Sequence, residues 1–199
     1  DNPKSSYLGV DYSEPMIEPA RKANKARSTV TLRVADDQRL SQDVPKSAFC
    51  GPPYDTIISE RCLINLSTWD EQKEAILEMR QLLKPDGQII LVENTKEGLA
   101  NLNQLRKRFD LPEIKVRWHN QYLPQELFNA FVSENFKVQE VENIGNLYYI
   151  LSRVVYAKLC ALEGKIPDYD HPINKIAAEL PSLALYRFSP NFLWVLRNN

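Results

Sequence analysis

The chain has 199 residues, 43% hydrophobic and 26% charged, and its net charge of -1 supplies no positive field to attract a nucleic acid. Two histidines, no Cys-x-x-Cys pair and no apolar run near ~18 residues argue against a metal site and against a membrane partner. Cys50, Cys62 and Cys160 are widely spaced and fit free thiols in a reducing compartment, so we predict one cytoplasmic domain over residues 1–199.

The first half of the chain alternates between strand and helix patterns. Strand-like runs lie at residues 7–10, at VTLRV (30–34), at YDTIIS (54–59) and at QIILVE (88–93). Apolar residues at helical spacing follow the first run and precede the last. Strands that alternate with helices predict an α/β fold, with a mostly parallel sheet and helices on both faces.

Three positions mark the ends of these helices. Ser13 can cap the first helix, and Thr68 with Glu71 forms a capping-box pair before the second. Gly87, in KPDG, can take the left-handed conformation that ends a helix.

The second half of the chain is less regular. Helical stripes are predicted at residues 99–109, 124–135 and 147–162, and strands at FKVQEVENI and NFLWVLR. The run Arg106-Lys107-Arg108 is interpreted as a solvated helix face.

Each predicted strand of the first half ends on polar residues: Asp11, then Asp36 and Asp37, then Ser59 and Glu60, and finally Glu93. In open parallel sheets, ligands bind at the carboxyl ends of the strands. An ionised carboxylate accepts hydrogen bonds and can take both hydrogens of a ribose diol, a role that suits Asp11. Acidic residues also end strands as simple turn formers, but four consecutive strand ends of this kind favour a binding site.

Four segments carry a resemblance to a known family: YLGVDYSEPMIEPAR, LRVADDQRLS, YDTIISERCLINL and LLKPDGQIILVE. In order and spacing they resemble successive motifs of the class I S-adenosylmethionine-dependent methyltransferases, over about residues 5–94. LLKPDGQIILVE is the most specific, since it stands where the family has Leu-Lys-Pro-Gly-Gly before its fifth strand. The resemblance implies a Rossmann-like methyltransferase sheet with an antiparallel last strand, and S-adenosyl-L-methionine as cofactor.

The resemblance also implies roles for the strand-end residues. Asp11 would bind the cofactor ribose, and Tyr12 would pack on the adenine. Asp36 and Asp37 would face the adenine edge, while residues 59–61 would lie near the methionine moiety and the transferred methyl. Glu60 is thus expected near both cofactor and acceptor.

One part of the family pattern is absent. The first strand and its Gly-x-Gly loop should precede residue 1, and no Gly-x-Gly occurs in the sequence. That strand would form the centre of the sheet, between those beginning at Tyr7 and Tyr54. We therefore expect that the numbering begins partway into a longer natural chain, the alternative being that another segment fills the gap.

The residues after Glu93 should select the acceptor, because the family varies there. Trp118, His119 and Tyr122 lie close together in VRWHNQYLP, and His119 could take a proton from an acceptor hydroxyl. Glu60, Arg61 and Glu93 are rival acid, base or anchoring groups. A dedicated base is not compulsory, because methyl transfer depends largely on the alignment of donor and acceptor.

Residues 147–190 separate the last two predicted strands and look like a helical insertion over the acceptor site. Tyr148, Tyr149 and Arg153 are candidate substrate-binding residues there. The apolar stripe of this segment equally fits a homodimer contact or the core of the domain.

These features predict methyl transfer to a small-molecule or glycan-type acceptor, at oxygen in preference to nitrogen. Two alternatives stay open: a non-catalytic methyltransferase-like scaffold, and an NAD-dependent oxidoreductase, for which an acidic residue after the second strand would also suit a ribose.

Overall fold

A computed structural model describes residues 5–44, 51–183 and 187–198 of the chain. Cys62 and Cys160 are free thiols, as the sequence predicts, and Cys50 lies outside the described residues. The prediction for residues 147–190 also falls partly outside them, at residues 184–186.

The strands form two sheets. Their bounds are β1 (Tyr7–Asp11), β2 (Val30–Val34), β3 (Tyr54–Glu60), β4 (Leu83–Asn94), β5 (Lys137–Asn143) and β6 (Asn191–Arg197). β1 pairs with β2 in parallel, and the second sheet has the order β3-β4-β6-β5. β3 and β4 are parallel, whereas β6 is antiparallel to both β4 and β5. The prediction of a mostly parallel sheet with an antiparallel last strand is confirmed.

The helices follow the strands in the expected order. Their bounds are α1 (Glu14–Ala23), α2 (Leu40–Asp43), α3 (Trp69–Gln81), α4 (Lys96–Lys107), α5 (Gln125–Asn135), α6 (Asn146–Tyr149), α7 (Ala157–Leu162) and α8 (Pro172–Ala178). Short 3-10 turns lie at Asp37–Arg39 and Leu63–Asn65, and a π-helical segment joins α6 to α7 at Ile150–Tyr156. No helix among the described residues is both long enough and apolar enough to span a bilayer.

The core lies between the four-stranded sheet and the helices that cover it. Ile89 and Leu91 alternate inward from β4, and Trp194 and Leu196 do so from the adjacent β6. Phe128 of α5 packs on Trp194, with their ring centroids 4.6 Å apart. Each of these five side chains is fully buried, which explains why QIILVE and NFLWVLR are recognisable as strands from sequence alone.

The small β1–β2 sheet joins this core through the segment after β2. Ala35, Leu40 and Val44 are buried in the same hydrophobic cluster as residues of α3. The backbone N–H of Ser41 also donates to Glu78 Oε2 on α3 at 2.8 Å. Among the described strands, β1 pairs only with β2 and β3 only with β4, so a groove separates the facing edges of β1 and β3.

The helix ends agree only partly with expectation. Thr68 and Glu71 form the predicted capping box at α3. Ser13 occupies the N-cap of α1, but its side chain makes no capping bond. The backbone N–H of Ser13 donates to Asp11 Oδ1.

The prediction for Gly87 is wrong. Asp86 takes the left-handed conformation, with φ of 61°, and Gly87 does not. A Cβ at Gly87 would lie 2.9 Å from the Lys84 carbonyl oxygen and 3.0 Å from that of Tyr54. Glycine is required there by the close approach of two backbones rather than by the turn.

Candidate functional site

A cavity of about 260 Å³ opens at the carboxyl ends of β1, β2 and β3. Its lining comprises Val10, Asp11, Tyr12, Asp36, Asp37, Cys62, Asn65 and Leu66. The parallel course of the strands explains this convergence, since the residues that end successive strands emerge at one edge. The four sequence-predicted residues at positions 11, 12, 36 and 37 therefore share one cleft.

Asp11 and Asp36 are held by local backbone bonds. Asp11 Oδ1 accepts the Ser13 N–H at 2.8 Å, and Asp36 Oδ1 accepts the Gln38 N–H at 3.0 Å. Asp36 Oδ2 also lies 3.5 Å from Arg39 Nε. These bonds fix both carboxylates without occupying all of their acceptor positions.

Asp37 is the most perturbed acid of the cavity. Burial raises the pKa of its carboxyl above the usual value, and the nearby charges of Asp36 and Asp11 raise it further. Three acidic groups around one small space create a negative potential, which favours a ligand that carries positive charge or several hydrogen-bond donors.

A second cavity, of about 330 Å³, occupies the groove between β1 and β3. It shares Val10, Asp37 and Cys62 with the first, so the two form one continuous cleft. Residues of both strand edges line it, including Gly9 and Ile58. The groove lies where the first strand of the family pattern is expected, so its volume is not assigned to a ligand.

The residues that end β3 diverge. Ser59 is buried and lines the groove, whereas Glu60 and Arg61 are exposed. Arg61 has φ of 55°, a left-handed conformation that reverses the chain after the strand. Cys62 follows it into the cleft, where burial and the Asp37 and Glu93 carboxylates raise the pKa of its thiol to about 11.

Glu93 lies at the end of β4 and is fully buried. Its Oε1 accepts the backbone N–H groups of Cys62 and Leu63, each at 2.9 Å, and Oε2 has no hydrogen-bond partner among the described residues. Burial raises the pKa of Glu93 to about 8, although those N–H groups and the Arg61 charge oppose the shift. The structure thus places Glu93 beneath the turn after β3 and not on an open surface.

The loop before α5 is tied to the same edge of the sheet. Gln121 N–H donates to the Ile64 carbonyl at 2.7 Å, and the Leu123 N–H donates to that of Asn94 at 2.9 Å. Tyr122, between these two anchors, is therefore held near the carboxyl ends of β3 and β4.

Trp118 and His119 contact each other at the surface of the loop before α5. Both are exposed, Trp118 to 95%, and their rings meet edge to face with centroids 5.3 Å apart.

Tyr148, Tyr149 and Arg153 come together at the start of the insertion. The two tyrosine rings meet edge to face at 5.4 Å, and Arg153 Nη2 donates to the Tyr148 hydroxyl oxygen at 3.2 Å. Burial raises the pKa of Tyr149 to about 12, Tyr122 raises it further, and the Arg153 and Arg61 charges oppose the shift. Candidate acceptor residues of three separate segments, at Arg61, at Tyr122 and in the insertion, thus affect the pKa of one hydroxyl.

Sequence reasoning missed Cys62, Asn65 and Leu66 as lining residues, and it misjudged Arg106. Cys62, Asn65 and Leu66 follow directly after β3, and their place just beyond the carboxyl end of a strand could have identified them as lining residues. The interpretation of Arg106 as solvated is wrong, because only 7% of it is exposed, whereas Lys107 and Arg108 are exposed as expected.

Comparisons with known proteins identify the class of this fold. Residues 1–89 match the family model described as "Methyltransferase domain". The "Probable tRNA methyltransferase 9B" of Mus musculus is 27% identical over 118 residues, covering 59% of this chain and 22% of that protein. The chain therefore spans about a fifth of the length of that curated relative.

Two of the solved structures that share the fold illustrate the likeness. The N-methyltransferase NodS from Bradyrhizobium japonicum WM9, in complex with S-adenosyl-L-homocysteine, matches with a TM-score of 0.52 and 12% identity, covering 97% of this chain and 66% of that one. Magnesium protoporphyrin IX methyltransferase (ChlM) from Synechocystis PCC 6803, with bound S-adenosylhomocysteine, matches with a TM-score of 0.54 and 16% identity, covering 98% and 64%. The predicted Rossmann-like fold is confirmed.

Proposed function

We propose that this chain is a class I methyltransferase, which transfers a methyl group from S-adenosyl-L-methionine to a small-molecule or glycan-type acceptor, at an oxygen atom. The match of residues 1–89 to a methyltransferase family model supports the proposal. The observation that carries the proposal is the convergence of Asp11, Tyr12, Asp36 and Asp37 on one cleft at the carboxyl ends of β1 and β2.

The chemistry of these side chains fits the adenosine half of that cofactor. Asp11 keeps Oδ2 available for a ribose hydroxyl while Oδ1 holds the turn into α1. Tyr12 is 75% exposed at the mouth of the cavity, so its ring can cover an adenine face. Asp36 and Asp37 offer acceptors for the exocyclic amine.

The charge of the cleft supports the same assignment. When bound, S-adenosyl-L-methionine supplies a methyl group on a positively charged sulfonium. The acidic residues of the cavity favour such a cation; the pKa of Asp37 is raised mainly by burial and further by the charges of Asp36 and Asp11. Ser59, in the groove, faces the region that would hold the methionine half.

On the acceptor side, Arg61, Tyr122 and the insertion residues would align the attacking oxygen. Alignment is the main requirement, since a well-oriented acceptor gains most of the rate from proximity. His119 remains our candidate for the base, and its exposed position beside Trp118 leaves the ring accessible to an acceptor. We include residues 147–190 as a cover over this side of a single domain; cytoplasmic location and a homodimer remain predictions.

Calorimetric titration of the full-length natural protein with S-adenosylhomocysteine and with NAD tests the proposal. We expect micromolar binding of the first and none of the second. Binding of NAD alone would favour the oxidoreductase, whereas cofactor binding without turnover on any acceptor would favour the non-catalytic scaffold.

A further inference from the structure

Three arginines near the insertion form no direct ion pair among the described residues. Arg61, Arg106 and Arg153 form no ion pair with a carboxylate within residues 5–44, 51–183 and 187–198, although ion pairs occur elsewhere on the same described surface. The sequence as a whole has no excess of basic residues. Burying a guanidinium charge without a carboxylate is costly, so the surroundings of Arg106, which is only 7% exposed, and of its neighbour Arg153 are informative.

Arg153 is fixed in one orientation by aromatic rings. Its guanidinium carbon lies 4.3 Å from the ring centroid of Tyr169 and 5.6 Å from that of Tyr148. Its Nη2 donates to the Tyr148 hydroxyl oxygen at 3.2 Å, which leaves the hydroxyl hydrogen of Tyr148 available to another acceptor. The planar group is therefore oriented while other N–H donors remain unused.

Arg106 holds the backbone of Arg153 through a hydrogen bond. It reaches out of α4 to donate to the Arg153 carbonyl oxygen, and its Nε donates to the Pro112 carbonyl at 2.9 Å. Burial lowers the pKa of Arg106, and the neighbouring Arg153 charge lowers it further. The two carbonyl groups stabilise the Arg106 guanidinium, but they do not neutralise the positive charges of Arg106 and Arg153.

The same cluster reaches the turn after β3. Burial and then Tyr122 raise the pKa of Tyr149, and the charges of Arg153 and Arg61 lower it, so both guanidinium groups lie near this hydroxyl. Tyr122 is anchored near the carboxyl ends of β3 and β4 through its two chain neighbours. The arginine–tyrosine cluster (Arg61, Arg106, Tyr148, Tyr149 and Arg153) thus borders the side of the cleft that the proposed function assigns to the acceptor.

We propose that the arginine–tyrosine cluster binds an oxyanion group, a carboxylate or a phosphate, on a small methyl acceptor. That the bound molecule is a methyl acceptor rests on the proposed function. The binding of the anion does not depend on it. Arginine presents parallel N–H donors that match both groups, and hydrogen bonds to an anion are about twice as strong as neutral ones. The hydroxyls of Tyr148 and Tyr149 add neutral donors.

Ligand-observed NMR on the full-length natural protein, saturated with S-adenosylhomocysteine, tests the proposal with three matched sugars. Glucuronate carries a carboxylate, glucose 6-phosphate carries a phosphate, and glucose carries neither. We expect at least one anionic sugar to bind tenfold or more tightly than glucose, and the stronger of the two identifies the preferred group.

Variants locate the binding. Arg153→Met should weaken the anionic sugar at least tenfold with the affinity for S-adenosylhomocysteine unchanged, and Tyr148→Phe should weaken it less. Arg153→Lys keeps the charge but loses the planar fork, so it should fall between the native protein and Arg153→Met. Arg108→Met, an exposed position on the neighbouring turn, should leave sugar binding unchanged.

Three results overturn the proposal: glucose binds as well as both anions, no anionic sugar binds, or both Arg153 variants bind the anion as the native protein does. An RNA oligonucleotide that binds through Arg153 more tightly than both anionic sugars also overturns it, in favour of a nucleic-acid acceptor. Failure of S-adenosylhomocysteine to bind contradicts only the proposed function, since the same sugar titrations without it still judge the anion site.

Discussion

Glu93 Oε1 accepts a hydrogen bond from the backbone N–H of Cys62 at 2.9 Å and so joins the end of β4 to the turn after β3. The adjacent N–H of Leu63 donates to the same oxygen. Cys62 lines the cleft, so the Glu93 carboxyl sets the position of one wall without facing the ligand. The sequence predicts Glu93 as an acceptor-site residue. In the structure its carboxyl group holds the backbone of the turn after β3.

Glu93 should make the protein less stable as pH rises. Its folded-state pKa, raised to about 8, exceeds the ordinary value of 4.5, so the stabilisation by the buried neutral acid is complete below about pH 4.5. Between those values the unfolded chain loses the proton first, and each pH unit lowers the free energy of unfolding by up to about 1.4 kcal/mol. Glu93→Gln keeps an amide oxygen for the two N–H groups and removes the titration.

Urea unfolding of the native protein and Glu93→Gln at pH 5 and pH 8 measures this effect. The variant should gain at least about 1 kcal/mol relative to the native protein between the two pH values. Glu140→Gln, at an exposed position on β5, should show no such gain. Parallel pH profiles for the native protein and Glu93→Gln would contradict the prediction.

Asp11→Asn should weaken binding of S-adenosylhomocysteine by about tenfold or more, because a hydrogen bond to a charged group contributes about 1.5–3 kcal/mol. The amide oxygen can still accept the Ser13 N–H, so the entry to α1 should persist and the effect should be confined to the ligand. Asp55→Asn is the matched control, since Asp55 is exposed at the opposite end of β3. Equal affinities for both variants by calorimetry would rule out the ribose assignment.

His119→Ala should lower turnover at least tenfold with the affinity for S-adenosylhomocysteine unchanged, because the ring would act on the acceptor and not on the cofactor. The reaction is measured as S-adenosylhomocysteine released in the presence of an active acceptor. Trp118→Ala is the companion variant, since it removes the ring that contacts His119 and leaves the imidazole in place. Unchanged turnover in His119→Ala would assign the residue to the loop alone.

Gly87→Ala should lower the free energy of unfolding by about 1–3 kcal/mol, the usual cost of overpacking, because its Cβ would meet two carbonyl oxygens. Asp86→Gly should be neutral or slightly stabilising, since glycine adopts the left-handed conformation of that position more easily. Thermal unfolding of both variants compares them directly. A larger loss in Asp86→Gly than in Gly87→Ala would restore the role that the sequence suggested for Gly87.

The cavity-lining acids could be predicted because two local signals agree. Asp11, Asp36 and Asp37 each end a run of β-prone residues, and a parallel sheet brings the ends of such runs to one edge. The order of strands and helices followed from periodicity for the same reason. These features depend on neighbours in sequence.

The remaining features depend on contacts between distant segments. The pairing of Glu93 with Cys62 spans 31 residues, and the contact between Arg106 and Arg153 spans 47. Arg106 belongs to a run of three basic residues, and helical rotation alone decides that it faces inward while its neighbours face solvent. The spacing of Arg106 from Leu99 and Leu102, which are buried on the same helix, was the local signal for its position.

Among the described residues, no strand pairing joins β1 to β3, so the two sides of the cleft belong to separate sheets. A ligand that contacts both sides would reduce the local opening of the smaller sheet. In the 199-residue chain, amide hydrogen exchange in β1 and β2 should therefore slow on addition of S-adenosylhomocysteine by a larger factor than exchange in β5 and β6, which belong to the four-stranded sheet.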